Sequence, residues 1–178
     1  MTKVKRKFIS HQNLHNILKE HELYNISAGR KGKGANLAEC VIEDFDFSGL
    51  DISNIDAQHS VFNRCKFRDT DLYGVDFSNS RFNGADFSLA VLVKAKFYQT
   101  EADSACFDDA KMSQAEFIET SLQGATFRNA DISSSIISEC NLTNAVFDGA
   151  NIRYAGITEN KDDGVSWNQV KKEPTSGA

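Results

Sequence analysis

Two histidines near the start of the chain have the spacing of metal ligands. His11 and His15 stand four residues apart, which would place both imidazoles on one face of a helix, as zinc sites often do. A third ligand is not evident, and the glutamate of the HExxH pattern is missing. Exposed histidines on a surface helix are therefore the favoured interpretation, and no metal site is predicted.

A glycine-rich basic stretch, Gly29–Gly34, has the composition of a phosphate-binding loop. It lacks the GK[ST] ending of such loops, and a repeat strand rather than a helix N-terminus is predicted to follow it. We interpret this stretch as a flexible basic connector, so no cofactor is predicted.

Nucleophilic catalysis is not indicated either. His59 is the only histidine in the central part of the chain, and no carboxylate–His–Ser set is recognisable around it. The four cysteines lie far apart and show no CxxC pairing, which favours a reducing, cytoplasmic location and leaves export as an effector open. We therefore expect a protein that is not an enzyme.

The residues that dominate the chain form a repeat with a period of five. From Leu37 to Ile157, 25 consecutive positions spaced five apart hold a large apolar residue in all but two cases. Two residues before each of them, a second stripe from Ala35 to Ala155 holds Ala, Ser, Thr or Cys at 21 of 25 positions. Neither a helix nor a strand keeps such a period on one face, whereas a coil with one short side per pentad does.

The number of sides in each coil follows from the step at which residue types recur. At a step of 20, Phe47, Phe67 and Phe87 begin an unbroken phenylalanine column that ends at Phe147. Steps of 15 or 25 mix the residue types. The sequence therefore predicts an all-β solenoid with four sides and about six coils, roughly 30 Å long if its strands stack at ordinary sheet spacing.

The pentads carry the A(D/N)Lxx pattern, as in Ala35-Asn36-Leu37, Ala85-Asp86-Phe87 and Ala130-Asp131-Ile132. This pattern resembles the pentapeptide-repeat family over about 125 of the 178 residues. The resemblance implies a right-handed quadrilateral β-helix. The family includes DNA mimics that bind DNA gyrase, some of which confer quinolone resistance, as well as secreted effectors and many proteins of unknown role. Members of the quinolone-resistance type often carry loop insertions between coils, which this chain lacks.

The two ends of a stack of coils expose unpaired backbone and core, so they must be covered. Residues 1–34 are predicted to supply a basic segment with a capping helix, in which Ser10 is the N-cap and Leu14, Ile17, Leu18 and Leu23 face the core. We assign residues 35–159 to the solenoid. Residues 160–178 are predicted to be a C-terminal cap, with Trp167 folding over the last coil or joining a dimer, and a disordered tail.

The charges are divided unevenly along the chain. Residues 1–34 have a net charge of +6, whereas residues 35–159 hold nine basic and twenty acidic residues, for a net charge of −11. More than half of that excess, −6, lies on the side that begins at Leu37, where Lys96 is the only basic residue. The carboxylates of this acidic side are Glu39, Asp56, Asp76, Glu116, Glu119, Glu139 and Glu159.

Two interpretations of the acidic side compete. It could be a solvated face that keeps a phenylalanine-rich rod soluble. It could instead imitate a DNA duplex, which carries one negative charge per ~1.7 Å, or roughly 18 over 30 Å. The solenoid offers −11 over a similar length.

An apolar patch is the second candidate interaction surface. The pentad register points several large apolar side chains outward in neighbouring coils, which often marks a partner site. The patch comprises Tyr73, Leu89, Val91, Val93, Tyr98 and Ile118.

We therefore expect a non-enzymatic protein-interaction module whose target is unspecified. The alternative is a DNA mimic that binds DNA gyrase or another topoisomerase and inhibits or protects it. Either function implies protein partners, without direct nucleic-acid binding by the repeats and without a membrane. A homodimer through the apolar patch or through the Trp167 end is a further expectation.

Overall fold

The pentads fold into short parallel sides that stack at a step of 20 residues. The computed structural model describes residues 5–172. Its backbone bridges join Asp56 to Asp76 and Asp76 to Lys96, and the same step recurs on the other three sides. The amide of each central residue donates to the next coil, as from Phe67 N to the carbonyl of Asp86 at 2.8 Å. The predicted four-sided β-solenoid is confirmed.

Within residues 5–172, the regular elements are one helix and seven short strands. Helix α1 spans His11–Ile26. The strands are β1 (Lys7–Phe8), β2 (Cys40–Glu43), β3 (Val61–Asn63), β4 (Lys96–Tyr98), β5 (Glu116–Ile118), β6 (Ile136–Ser138) and β7 (Gly156–Thr158). They form two parallel sheets, ordered β1-β2-β3 and β4-β5-β6-β7. Isolated bridges complete the remaining sides.

Four columns of large side chains, one from each side, fill the interior. We number the sides along the chain from the acidic side; they begin at Ala35, Cys40, Phe45 and Leu50. On the third side, the aromatic rings stack with centroids 4.3–5.1 Å apart. Phe87 and Phe107 are fully buried, and their ring planes are nearly parallel with centroids 5.1 Å apart. Such pairs add to the free energy of burial.

Hydroxyl groups in the inward stripe of small residues satisfy backbone carbonyls. Ser60 Oγ donates to the carbonyl of Leu37 at 2.7 Å, and Ser80 Oγ donates to that of Ala57 at 2.8 Å. Within residues 5–172, every buried side-chain nitrogen or oxygen has a hydrogen-bond partner. The Ser and Thr residues of this stripe therefore cost little to bury, because their polar groups are paired.

The solenoid continues beyond residue 159, where we had predicted its end. Bridges join Asn141 to Lys161, Val146 to Ser166 and Asn151 to Lys171. Trp167 does not fold over the last coil; its ring takes the next place in the phenylalanine column, 4.3 Å from that of Phe147. Residues 160–171 are thus most of a seventh coil. The predicted tail, residues 171–178, is wrong at Lys171, which is bridged to Asn151, and residues 173–178 lie outside the described part of the chain.

The N-terminal end is partly covered by β1 and α1. The predicted N-cap is present, since Ser10 Oγ accepts the amide of Asn13 at 3.4 Å. Leu14 is 0% exposed over the first coil, whereas Leu23 points to solvent and does not belong to the apolar stripe. Strand β1, which the sequence did not reveal, pairs with β2 along the edge of the second side. Among residues 5–172, no helix has the length and apolar character needed to cross a lipid bilayer.

Candidate interaction surfaces

The outward Asp or Asn next to the central residue has a structural role in many pentads. Asp56 Oδ1 accepts the amide of Gln58 at 3.1 Å, and Asp76 Oδ1 accepts both the amide of Ser78, at 3.0 Å, and its hydroxyl, at 2.6 Å. These bonds close a local turn that Asp and Asn favour. Two carboxylates of the acidic side therefore shape the backbone and still carry a negative charge.

The acidic side arranges its carboxylates in two rows. One row runs through Asp56, Asp76, Lys96, Glu116 and Ile136, each bridged to the next coil. The second row stands at the corner with the second side, where the backbone is left-handed. Its carboxylates are Glu39, Glu119, Glu139 and Glu159, with φ between 53° and 57°. The last three lie in consecutive coils, so like charges stack at the C-terminal half of the rod.

Ion pairs distinguish the second and third sides from the acidic side. On the second and third sides, arginines reach carboxylates of adjacent coils, as in Arg64–Asp44 at 2.5 Å, Arg81–Glu101 at 3.0 Å and Arg128–Asp108 at 3.3 Å. The bond from Arg64 holds the pKa of the Asp44 carboxyl below its usual value. In the described part of the chain, no ion pair involves the seven carboxylates of the acidic side, so their charge stays available to a partner.

An apolar strip lies among these carboxylates. Tyr98 is paired with Ile118 in the adjacent strand, and Ile136 follows Glu116 in the first row, one coil further along. Ile136 is 44% exposed, while Tyr98 and Ile118 are half-buried. Ile136 was not among the residues predicted for this surface, although the register points it outward. The strip of Tyr98, Ile118 and Ile136 adds an apolar contact to a charged surface.

The predicted apolar patch is divided into two parts. Tyr98 and Ile118 belong to the strip on the acidic side. The other four residues lie around the third and fourth sides, and Lys94 and Lys96 stand between the two groups along the chain. Lys94 also lies over the ring of Tyr73, with Nζ 5.6 Å from its centroid. We call the group of Tyr73, Leu89, Val91 and Val93 the apolar corner.

Leu89 is unusual within the apolar corner. Its φ is 63°, a left-handed conformation that favours Gly, Asn or Asp over a large apolar residue. Its side chain is also 39% exposed. Both features cost stability, and neither improves the core, so an interaction of this side chain is the simplest use for it.

The candidate chemical groups occupy structural positions. His11 and His15 pack edge-on against Phe45, at 5.5 and 5.2 Å between ring centroids. Within the described residues, no group of three His, Cys, Asp or Glu side chains could hold a metal ion. Burial raises the pKa of the Cys65 and Cys140 thiols to about 11, which keeps both protonated at neutral pH.

The structure also gives the positions of the other two cysteines and of the basic connector. Cys40 is buried, whereas Cys106 faces outward and is half-exposed as a free thiol. The basic connector folds back on α1, where Lys33 N donates to the carbonyl of Glu20 at 3.1 Å. Its amides therefore do not converge on a phosphate at a helix N-terminus.

Two family models match the chain. The one described as "Pentapeptide repeats (8 copies)" matches residues 46–84, and "Pentapeptide repeat region" matches residues 80–157. Together they cover residues 46–157, which is more than half of the chain. No curated protein sequence is significantly similar to it.

Several solved structures are similar to this chain. A pentapeptide repeat protein from the Arabidopsis thaliana thylakoid lumen is 28% identical with a TM-score of 0.46, and the match covers 48% of this chain and 59% of that one. Full-length QnrB1, a plasmid-mediated fluoroquinolone resistance protein, is 18% identical with a TM-score of 0.41 over 79% and 85% of the two chains. Rfr23 from the cyanobacterium Cyanothece 51142 is 17% identical with a TM-score of 0.43 over 84% and 99%.

Proposed function

The chain belongs to the pentapeptide-repeat family, and from this premise we propose that it is a non-enzymatic protein-interaction module whose acidic side binds a basic protein surface. One observation carries the proposal: unpaired carboxylates surround the apolar strip of Tyr98, Ile118 and Ile136 on one flat side. Apolar anchors within a charged rim are the ordinary composition of a protein interface. A purely solubilising face would not need the strip.

The rigidity of the rod supports the same function. The backbone of the acidic side is bonded to the next coil in every turn, so its rows of side chains are held in place before a partner arrives. A preformed surface loses little conformational freedom on binding. The unpaired charges would speed the encounter with a basic partner, and the strip would hold the complex.

Affinity capture with matched variants tests this proposal. Ile118→Lys puts a charge in the middle of the strip, and Val146→Lys makes a similar change at a half-buried outward position of the third side. We expect a partner to be captured by the wild-type chain and by Val146→Lys but to be lost with Ile118→Lys. Capture should also weaken as salt is raised. Equal capture by all three proteins would contradict the proposal.

A DNA mimic that acts on DNA gyrase or another topoisomerase is the second candidate. The stacked Glu119, Glu139 and Glu159, which no ion pair neutralises among the described residues, favour it. Lys96 and the apolar strip interrupt the charge and favour the general interaction module instead. Under the second candidate, the DNA-binding surface of the enzyme would contact the acidic side in place of a duplex.

Gyrase assays with two charge-reversed proteins test the second candidate. The wild-type chain should inhibit supercoiling or relieve drug-stabilised cleavage, and Asp76→Lys with Glu116→Lys should abolish the effect. Asp86→Lys with Glu101→Lys is the control, because it makes the same charge change on other sides and Asp86 closes the same kind of turn as Asp76. Unchanged supercoiling and cleavage at low salt would exclude gyrase as the target.

Self-association and location complete the proposal. The apolar corner and the C-terminal end, where Ile157 and Trp167 are half-buried, are the two surfaces that a homodimer would use. Val93→Lys should lower the mass in solution if the apolar corner is the interface, while Trp167→Lys should lower it if the C-terminal end is the interface.

A cytoplasmic location fits the four free cysteines, and export as an effector stays open.

A further inference from the structure

The N-terminal edge of the solenoid is only partly covered. Strand β1 lies along the second side, where Ile9 N donates to the carbonyl of Val41 at 3.1 Å. The chain then leaves the edge at Ser10 and forms α1, so the next two sides receive no strand from it. Among residues 5–172, the backbone amides and carbonyls of Asp46 and Asp51 have no hydrogen-bond partner.

A groove of about 590 Å³ separates this open edge from α1. Its apolar wall is formed by Leu18 and Ile26 of the helix and by Leu50 of the coil. Ile26 is 76% exposed and Leu50 is 37% exposed. The volume lies within the usual range of sites that enclose a ligand. The groove therefore combines exposed apolar surface with free hydrogen-bonding groups of a strand edge.

The charge of the groove selects the chemistry of its occupant. Glu22, Asp46 and Asp51 line it, and Lys19 is the only Lys or Arg among its lining residues. An acidic groove of this kind attracts a cationic segment and repels an acidic one. Lys or Arg side chains on an occupant could reach these carboxylates while apolar ones contact Ile26 and Leu50.

We propose that this groove binds an extended peptide segment of a partner protein, rich in Lys or Arg and in apolar residues, as an added parallel strand. Strand β1 is the precedent within the chain, because it pairs in parallel with the same edge one side earlier. The amide of Asp46 would donate to the peptide and its carbonyl would accept from it, as in other cases of β-strand addition. The groove lies at the end of the rod and does not depend on the acidic side proposed above.

Two ten-residue peptides test the proposal against the full ¹⁵N-labelled chain. One alternates Lys and Val, and the other alternates Glu and Val. We expect the Lys–Val peptide to bind, to shift the amide signals of Asp46 and Asp51 and to slow their hydrogen exchange by about tenfold or more. The Glu–Val peptide should not bind.

Three controls distinguish strand addition in the groove from other modes of binding. Methylation of alternate backbone nitrogens of the Lys–Val peptide should weaken binding about tenfold, because it removes the donors of the added strand. Ile26→Arg should weaken binding to a similar extent, whereas Ile136→Arg on the acidic side should not. Binding that follows Ile136 instead, binding of both peptides alike, indifference to methylation or no binding at all would each overturn the proposal.

Discussion

The two ends of the described solenoid are built in different ways. At the N-terminal end, separate elements cover the core: β1 pairs with the edge, and Leu14 of α1 is fully buried over the first coil. At the other end of the described chain, the repeat itself continues until Trp167 stacks on Phe147. The difference shows that residues outside the repeat cover the N-terminal end, whereas the repeat itself continues as far as the structure describes the other end.

The largest expected loss of stability comes from a substitution in the interior, and it serves as a reference for the losses at the two ends. Phe107 is fully buried and stacks on Phe87 and Phe127, at 5.1 and 4.9 Å. Phe107→Ala should lower the free energy of unfolding by about 3–5 kcal/mol, because it removes both stacks and leaves a cavity. Urea unfolding would measure this loss. A loss below that of either end variant described next would show that the interior column is not the main source of stability.

Replacing a core side chain by alanine should cost a different amount of stability at each end. Leu14→Ala should cost about 2–5 kcal/mol, as for other fully buried leucines. Trp167→Ala should cost less, about 1–2 kcal/mol, because Trp167 is only half-buried and stacks on one face. Hydrogen exchange would locate the two losses of stability. Amide exchange should accelerate in the coils next to α1 for Leu14→Ala and in the coils next to Trp167 for Trp167→Ala. Equal losses of stability in the two variants would show that the cap formed by α1 and the column that ends at Trp167 contribute alike.

The smallest expected effect is a change between pH 7 and pH 5 that only the N-terminal end should show. His21 is 3% exposed; its Nδ1 accepts the amide of Ala35 at 3.1 Å, and its other nitrogen lies 3.3 Å from the side-chain nitrogen of Asn25. Burial lowers the pKa of His21 below its ordinary 6.5, although the negative charge of Asp51 opposes this shift. The folded state therefore keeps the ring neutral at pH values where the unfolded state takes up a proton.

It follows that His21 contributes stability above pH 6.5 that is lost as the pH falls below this value. Amide exchange of α1 should accelerate between pH 7 and pH 5, after correction for the intrinsic rate, while exchange around Trp167 should not. His21→Gln retains an acceptor for Ala35 without a proton to gain, so its response should be flatter. The same response in both proteins would assign the acid effect to another group.

Much of the fold follows from the sequence because the repeat leaves few alternatives. The step of 20 predicted the four sides and the phenylalanine column, and the five-residue register placed Asp56 and Asp76 on the outside. The seventh coil was missed because Asn160 and Asp162 stand where the two stripes require small and large apolar residues, although Trp167 continues the column at the right step. Strand β1 was missed because a two-residue strand has no pattern of its own and is defined only by its pairing.

The candidate surfaces were predicted less completely than the fold. Pentad register tells which side chains point outward, so the two rows of carboxylates and the exposed Leu89 could be anticipated. It does not tell which charges meet, because the pairs such as Arg64–Asp44 and Arg128–Asp108 depend on side-chain rotamers across coils. The positions of Lys94 and Lys96 in the sequence could have predicted the division of the apolar patch. Extending the outward register one coil further would also have identified Ile136.

The 20-residue step restricts how the length of this rod can change. A deletion of five residues within the solenoid would turn every later side by a quarter of the circumference, so the carboxylates before and after the deletion would face different directions. A deletion of twenty residues would instead shorten the rod by one coil, about 4.8 Å, and leave its sides aligned. Insertions and deletions that preserve the acidic side must therefore come in multiples of twenty residues, or sixty nucleotides of coding sequence.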